Sequence, residues 1–366
     1  MKTSKVAIFH SAGRPFTYET IPVPALREGE ILIRNEYTTL CRSDLTTFIG
    51  KRLERTPTIL GHEIVGVIEE LGPGAPQADA RGAELRVGDR VTWAIFAADP
   101  DGPMARRGLR QKSPDLFKYG HEQVTPQSTL HGGLAEYCVL RKHTPLIRLG
   151  QAIPLPILAL INCSVATVAG SLRLAGSLHE RSVLVTGAGM LGVIACAMCQ
   201  CLGAKRIVAV DIDPQRLQTA GKFGADVAVP ANSGGSSLKE RLAAVLPGEP
   251  ATIALDYSGA PEMMEALPGL LGVGGTAVFV GATFPQRAIQ LHAEQLVRGV
   301  LTLRGLHNYN EQDLVAAVEF IEKYAQRFPF ASLVDDRFDL DSVNEAFDHG
   351  IRSGAHRVGV RTRAKP

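Results

Sequence analysis

The sequence predicts an α/β chain in two parts, a β-rich unit followed by a doubly wound parallel sheet, and three observations carry that expectation. Up to about Leu149 the apolar residues come in short runs, EILIRNEY, HEIVGVIEEL, DRVTWAIF and LAEYCVL, punctuated by Gly and Pro, as in short strands joined by turns. From Arg181 the pattern becomes an alternation of SVLVTGAG, a helical run, RIVAVDID, a helix through Phe223, and ADVAVP. TIALDYSG and TAVFVGAT follow with helical segments between them, and this βαβ order is that of a parallel sheet. After Asn308 come a helix in DLVAAVEFIEKYAQRF, the run SLVDDRFDL, a second helix in DSVNEAFDHGIRSG and a last strand, HRVGVRT.

Composition narrows the function class. With 366 residues, 45% of them hydrophobic, and a formal net charge of +2, the chain has material for two domains and no global field that would draw it to nucleic acid. The opening MKTSKVAIFHSAGRPF contains no long apolar run, so neither a signal peptide nor a membrane span is expected there, and the cytoplasm is the expected compartment. The six cysteines, Cys41, Cys138, Cys163, Cys196, Cys199 and Cys201, are too sparse for a disulfide framework. Three of them lie in VIACAMCQCLG, an apolar run in which they read as small core residues of a buried helix rather than as a metal cluster. ANSGGSS, residues 231–237, reads as a surface loop. The stretch ADPDGPMARRGLRQKSPDLF, residues 98–117, has neither helical nor strand periodicity, and so long an unstructured loop is uncommon in a compact domain.

Two motifs carry chemistry. GAGMLG places Gly187, Gly189 and Gly192 after an apolar strand and at the start of a helix, the context that makes a glycine pattern informative for dinucleotide binding. Gly187 permits the tight turn, Gly189 the approach of a pyrophosphate, and Gly192 close helix packing, while the helix that begins at Met190 and Leu191 offers free N–H groups to the phosphates. Asp211, 24 residues after Gly187, closes the second strand, where a carboxylate accepts ribose hydroxyls and repels a 2′-phosphate; NAD is expected rather than NADP. Gly281, in the later strand TAVFVGAT, joins the candidate cofactor set, and Asp213 before Pro214 reads as a helix cap. The second motif is split. LCRSD supplies Cys41 and, 21 residues on, LGHE supplies His62 and Glu63; a thiolate, an imidazole and a carboxylate are zinc donors, and Cys163 in INCSVATVAG is placed to complete the set.

Taken in order, LCRSD, GHE, VGDRV, GGLAEYCVL, NCSVATV, GAGMLG, VDID and HRVGV resemble the zinc-dependent alcohol dehydrogenases of the medium-chain dehydrogenase/reductase family over essentially the whole chain. The resemblance implies a GroES-like catalytic domain (1–164, completed by 308–366) and a Rossmann NAD-binding domain (165–307). It implies one catalytic zinc on Cys41, His62 and Cys163, with Glu63 as a transient ligand, Ser43 as acceptor of the alcohol proton and Arg42 as a pyrophosphate contact. Asp44 is expected to hydrogen-bond the His62 imidazole and fix its tautomer. Some relatives carry a relay histidine five residues after the first zinc cysteine; here Thr46 stands there, a hydroxyl that passes a proton but is a poor base near pH 7.

Many relatives also hold a lobe with a second, structural zinc on four cysteines. Their spacing falls here on Asp99, Gly102, Ala105 and Ser113, so a structural zinc is expected to be absent and the lobe to be mobile or ordered by a neighbouring subunit. Arg106, Arg107, Arg110 and Lys112 read as a solvated basic surface. Wording such as FHSAGRPF and RRGLRQKSPDLFKYGHE is most similar to a subgroup associated with phosphonate catabolism, which implies a small polar alcohol, among them hydroxyalkylphosphonates, as substrate; His121 is a candidate pocket residue. The expected partners are that small molecule and further copies of the chain as a homodimer or homotetramer, with neither nucleic acid nor membrane. A zinc-free NAD(P)H reductase of enones or quinones and a silent NAD-binding protein stand as the alternatives.

Overall fold

The short apolar runs of the first part fold as strands because their period-two pattern gives each one a face to bury. Ile31–Leu40 is the central one, pairing antiparallel with Glu63–Leu71, with Tyr137–Leu140 and, toward its end, with Arg357–Arg361. The sheet runs Val334–Asp339, Arg357–Arg361, Ile31–Leu40, Glu63–Leu71, Arg90–Trp93, Leu146–Arg148, so strands from the end of the chain extend a sheet begun near its start. The computed structural model describes residues 2–232, 237–246, 248 and 250–362. They divide into two compact units, one within 1–166, 310–326 and 330–366, the other within 167–309 and 327–329.

Two apolar clusters fill the first unit. In one, Phe9, Phe16, Phe48 and Phe347 pack with ring centroids 4.7–6.4 Å apart, Phe16 and Phe48 stacked and the other pairs tilted. In the other, Trp93 and Tyr119 are fully buried beside Ile64 and Ile33. Each such side chain contributes about 1.5–3 kcal/mol by leaving water.

The second unit is the expected doubly wound sheet. Its six strands, all parallel, lie in the order Val227–Pro230, Arg206–Asp211, Ser182–Thr186, Ala251–Asp256, Leu271–Phe279, Thr302–Gly305. The chain order reverses between the first strand and the fourth, the topological switch point at which such sheets take their ligands. All five residues of Ser182–Thr186 are buried, as a parallel strand covered on both faces must be. Cys196 and Cys199 are fully buried in helix Met190–Cys201, and burial pushes the Cys196 thiol up to about 12, so these two are core thiols as expected, whereas Cys201, at the helix end, is only half-buried. Asp213 caps helix Pro214–Lys222 by accepting the Gln215 N–H at 2.8 Å. Of the loop expected at 231–237, residues 233–236 lie outside the described residues, while Ser237 caps helix Leu238–Val245. The helical run Leu155–Ala175 is long and apolar enough to cross a membrane, but 78% of its most apolar window is buried inside the protein, which makes it a core helix.

Stretch 98–117 departs from expectation. It carries a helical turn, Pro103–Arg106, and a tighter one, Arg110–Lys112, and its ends are joined where Phe96–Ala97 pairs with Phe117–Lys118. Arg110 is not part of a solvated surface: its side chain is 11% exposed and its guanidinium donates to the Ala98 carbonyl (2.8 and 3.1 Å), to the His143 carbonyl (2.6 Å) and to Glu311 (2.7 Å). Asn310 adds a bond to the Gly108 carbonyl at 2.6 Å, and Arg141 lies 3.7 Å above the Phe117 ring. All of these contacts come from the same chain. A planar cation with five N–H donors can tie several loops at once, which four thiolates would otherwise do through a metal. Arg106, Arg107 and Lys112 are exposed, as expected.

Candidate metal centre

Cys41, His62, Glu63 and Cys163 come together from three places in the first unit. Strand Ile31–Leu40 ends at Cys41, which precedes helix Arg42–Phe48. His62 immediately precedes the neighbouring strand Glu63–Leu71, in which Glu63 lies opposite Thr39. Cys163 lies in a widened turn of the Leu155–Ala175 helical run, where the Val165 N–H reaches back five residues to the Leu160 carbonyl at 3.1 Å. Such turns shift side chains out of helical register and recur at functional sites.

The ligand atoms of the four residues all lie within 4.8 Å of one another. Cys163 Sγ is 3.6 Å from His62 Nε2. Zinc bond lengths of about 2.3 Å to sulfur and 2.05 Å to nitrogen at a tetrahedral angle also predict about 3.6 Å, so spacing and donor chemistry both fit that ion. Among the described residues no other set of three or more His, Cys, Asp or Glu converges in this way, and the positions Asp99, Gly102, Ala105 and Ser113 belong to none.

The surroundings control charge. The Cys163 thiol hydrogen bond, reinforced by the Arg357 and His62 charges, holds Cys41 well below the usual thiol range against the opposing effect of burial. Cys163 is pushed up, first by that same hydrogen bond and then by burial. Burial disfavours a charged His62, yet Asp44 and Cys41 outweigh it and raise the imidazole to about 10. Asp44 Oδ1 lies 3.4 Å from His62 Nδ1, which has no well-formed hydrogen bond. The Asp44 carboxylate instead accepts the backbone N–H groups of Cys41 (2.8 Å) and Gly61 (3.3 Å), so it ties together the two segments that carry the donors and faces the imidazole as a charge rather than as the expected hydrogen-bond partner. Asn162 donates to the carbonyls of His62 and Trp93, each at 3.0 Å.

Three positions that the sequence reading did not single out complete the setting. Arg357 forms a two-pronged pair with the fully buried Glu63 (2.7 and 2.8 Å), while Ser164 and Thr39 also donate to that carboxylate. Arg357 also reaches Cys41 Sγ at 3.5 Å. The available signal was an arginine opening an otherwise apolar closing strand, but its partner lies 294 residues away. Of the remaining candidates, Ser43 is half-buried in the first turn of helix Arg42–Phe48, Arg42 is exposed, and the buried Thr46 hydroxyl donates to the Ser43 carbonyl at 2.9 Å. His121 packs its ring against that of His62, centroids 4.9 Å apart.

The glycine turn is described within the second unit. Gly187 has φ +86°, and a Cβ there or on Gly192 would strike backbone, Ser258 in the first case and the Gly187 carbonyl in the second. Gly189 faces open space and precedes the helix that begins at Met190 and Leu191. Gly281 packs against Gly259 too closely to tolerate a side chain. Asp211 accepts the N–H groups of Ala188 (2.6 Å) and Asp213 (2.9 Å), one on each oxygen, which fixes the carboxylate beside the turn. An open glycine position, free helix N–H groups and an oriented carboxylate are what a dinucleotide requires.

Comparison with known proteins agrees with this arrangement. Residues 27–151 match the model of the alcohol dehydrogenase GroES-like domain, and residues 191–323 that of zinc-binding dehydrogenases. The chain is 30% identical to a probable D-xylulose reductase A of Arthroderma otae over 94% of its own length and 92% of that protein's. It is 27% identical to an NDMA-dependent alcohol dehydrogenase of Amycolatopsis methanolica over 98% of both. Its fold superimposes on a crystal structure of an alcohol dehydrogenase from Thermotoga maritima with a TM-score of 0.91 at 23% identity, covering 99% of this chain and all of the other.

Proposed function

The chain belongs to the zinc-binding alcohol dehydrogenases of the medium-chain family, oxidoreductases acting on CH–OH groups, and from that premise we propose that it interconverts a small polar alcohol and its carbonyl compound, using zinc held by Cys41, His62 and Cys163 and NAD held at Gly187–Gly192. The convergence of two thiols, an imidazole and a carboxylate within 4.8 Å carries the reading.

Bound in these places, zinc supplies Lewis acidity toward the alcohol oxygen and NAD supplies a hydride acceptor. The chain supplies the rest. Arg357, Ser164 and Thr39 hold the Glu63 carboxyl turned to one side, leaving the two cysteines and His62 as the standing donors and Glu63 as a reserve one. Ser43 takes the alcohol proton. Thr46 donates its hydroxyl proton to the Ser43 carbonyl and does not carry the relay outward, so the proton leaves Ser43 through water. Asp211, both oxygens oriented by backbone N–H groups, retains lone pairs for a ribose hydroxyl and repels a 2′-phosphate, which favours NAD over NADP. The resemblance to the phosphonate-associated subgroup supports a hydroxyalkylphosphonate as the alcohol.

Elemental analysis beside NAD reduction on a panel of alcohols tests this. About one zinc per chain, lost together with turnover in Cys163→Ser, is the expected result. A chain that neither retains nor is activated by zinc overturns it.

A further inference from the structure

Beside the donor cluster, on the His62 side, stands a group of charges that the zinc chemistry does not use. Phe117–Lys118 pairs with Phe96–Ala97, and the chain then turns, the His121 N–H reaching the Lys118 carbonyl at 3.2 Å. The turn presses on the metal site: a Cβ on Gly120 (φ +74°) would lie 2.5 Å from the Gly61 carbonyl and 3.2 Å from His62 Cβ, and the His121 ring covers that of His62. From the segment after helix Arg42–Phe48, Glu54 takes Arg52 at 2.7 Å and His121 Nδ1 at 3.0 Å. Arg52 and Glu54 pair with each other and cancel.

Lys118 does not cancel. It is half-buried, and among the described residues no carboxylate pairs with its ammonium. Burial lowers its proton affinity first, followed by Arg52; Glu54 and, from the donor cluster, Cys163 act in the opposite sense. A partly desolvated ammonium without a partner carries an electrostatic cost that a negatively charged ligand offsets. Its placement beside the residues that would hold the reacting oxygen makes a substrate the natural source of that charge.

We propose that Lys118 recognises an anionic substituent on the alcohol, a phosphonate or a carboxylate a short chain away from the hydroxyl, and so sets substrate selectivity. The proposal rests on the dehydrogenase reading above and deepens it.

The test uses the zinc-loaded full chain, its Lys118→Met and its Lys118→Arg variants, with zinc content measured in each. Calorimetric titration with methylphosphonate and with acetate, probes that cannot be oxidised, reads anion binding alone. We expect the dissociation constant to rise about tenfold to a hundredfold in Lys118→Met and to be largely restored in Lys118→Arg. Rates with 2-hydroxyethylphosphonate, 3-hydroxypropionate and 1-propanol then read selectivity, and the anionic-to-neutral ratio of kcat/KM is expected to fall at least about tenfold, mainly through KM. A fall for both anions supports the wider class, and a fall for the phosphonate alone narrows it to a dianion. An unchanged ratio, or methylphosphonate binding that is absent from the parent or indifferent to Lys118, overturns the proposal. Absence of turnover with every alcohol overturns the dehydrogenase reading instead, while calorimetry still reports on Lys118.

Discussion

Two regions of the first unit tie distant segments together by opposite means. At the donor cluster, side chains from positions 41, 62, 63 and 163 point inward to a common centre within 4.8 Å. In the segment 98–117, one side chain, Arg110, radiates outward to Ala98, His143 and Glu311. The difference is instructive because in many relatives the second region also has a zinc. A guanidinium at a well-buried position can hold such a lobe by hydrogen bonds, but it cannot present an open coordination site for a reacting oxygen. Hydrogen bonds from one side chain thus suffice where the task is architecture and do not where an open coordination position is required.

The sharpest way to separate the regions is His62→Ala. Tightly held zinc and turnover are expected to disappear together, while resistance of 98–117 to proteolysis stays at the parent level; loss of both properties would show that the regions are not independent. Next in size is Arg357→Leu. It leaves the fully buried Glu63 carboxylate without its main partner, and destabilisation of about 3–5 kcal/mol is expected in denaturant unfolding. The double change Arg357→Leu with Glu63→Leu is expected to recover much of that stability, because the cost lies in the uncompensated charge.

Arg110→Ala probes the other side of the comparison. Two carbonyls and Glu311 lose their donor, so about 2–3 kcal/mol of stability and faster cleavage within 98–117 are expected, with zinc content unchanged. Zinc affinity should also depend on pH, and the sign follows from the donor charges. His62, raised to about 10, and Cys163, pushed above the usual thiol range, both hold protons at neutral pH, and a metal needs both groups deprotonated. Competition titrations between pH 6 and 8 are expected to show affinity rising with pH, about tenfold per unit for each displaced proton. The smallest effect is that of Thr46→Val, which removes one hydrogen bond to the Ser43 carbonyl. About 1 kcal/mol of stability is expected to be lost with the pH profile of turnover unaltered; a displaced profile would return Thr46 to the proton path.

What was readable in advance follows the physics of each feature. The glycine turn and Asp211 were legible because a strand, a tight turn and a helix start lie within 25 residues, and local sterics dictate their residue types. Cys41, His62, Glu63 and Cys163 were legible through donor chemistry and their place in a whole-chain resemblance. Arg357, Ser164 and Thr39 were not, because a buried ion pair carries no local signature in either strand. Stretch 98–117 was misjudged for a related reason: aperiodic and polar, it resembles a mobile loop until Arg110 is seen to reach Glu311, 201 residues further on. His62 and Asp44 were expected to share a hydrogen bond, and backbone N–H groups claimed the carboxylate instead.

By itself, then, the sequence determined the two-part α/β architecture, the glycine turn with its acid, and the donor types of the candidate metal site, because hydrophobic period, turn sterics and ligand chemistry are written residue by residue. Only the tertiary structure decided which charges meet: Arg357 with Glu63, Arg110 with the lobe carbonyls, and Lys118 beside the donor cluster with no carboxylate partner among the described residues. Coulomb energy and desolvation depend on distance and burial, and neither exists until strands far apart in the chain have been brought side by side.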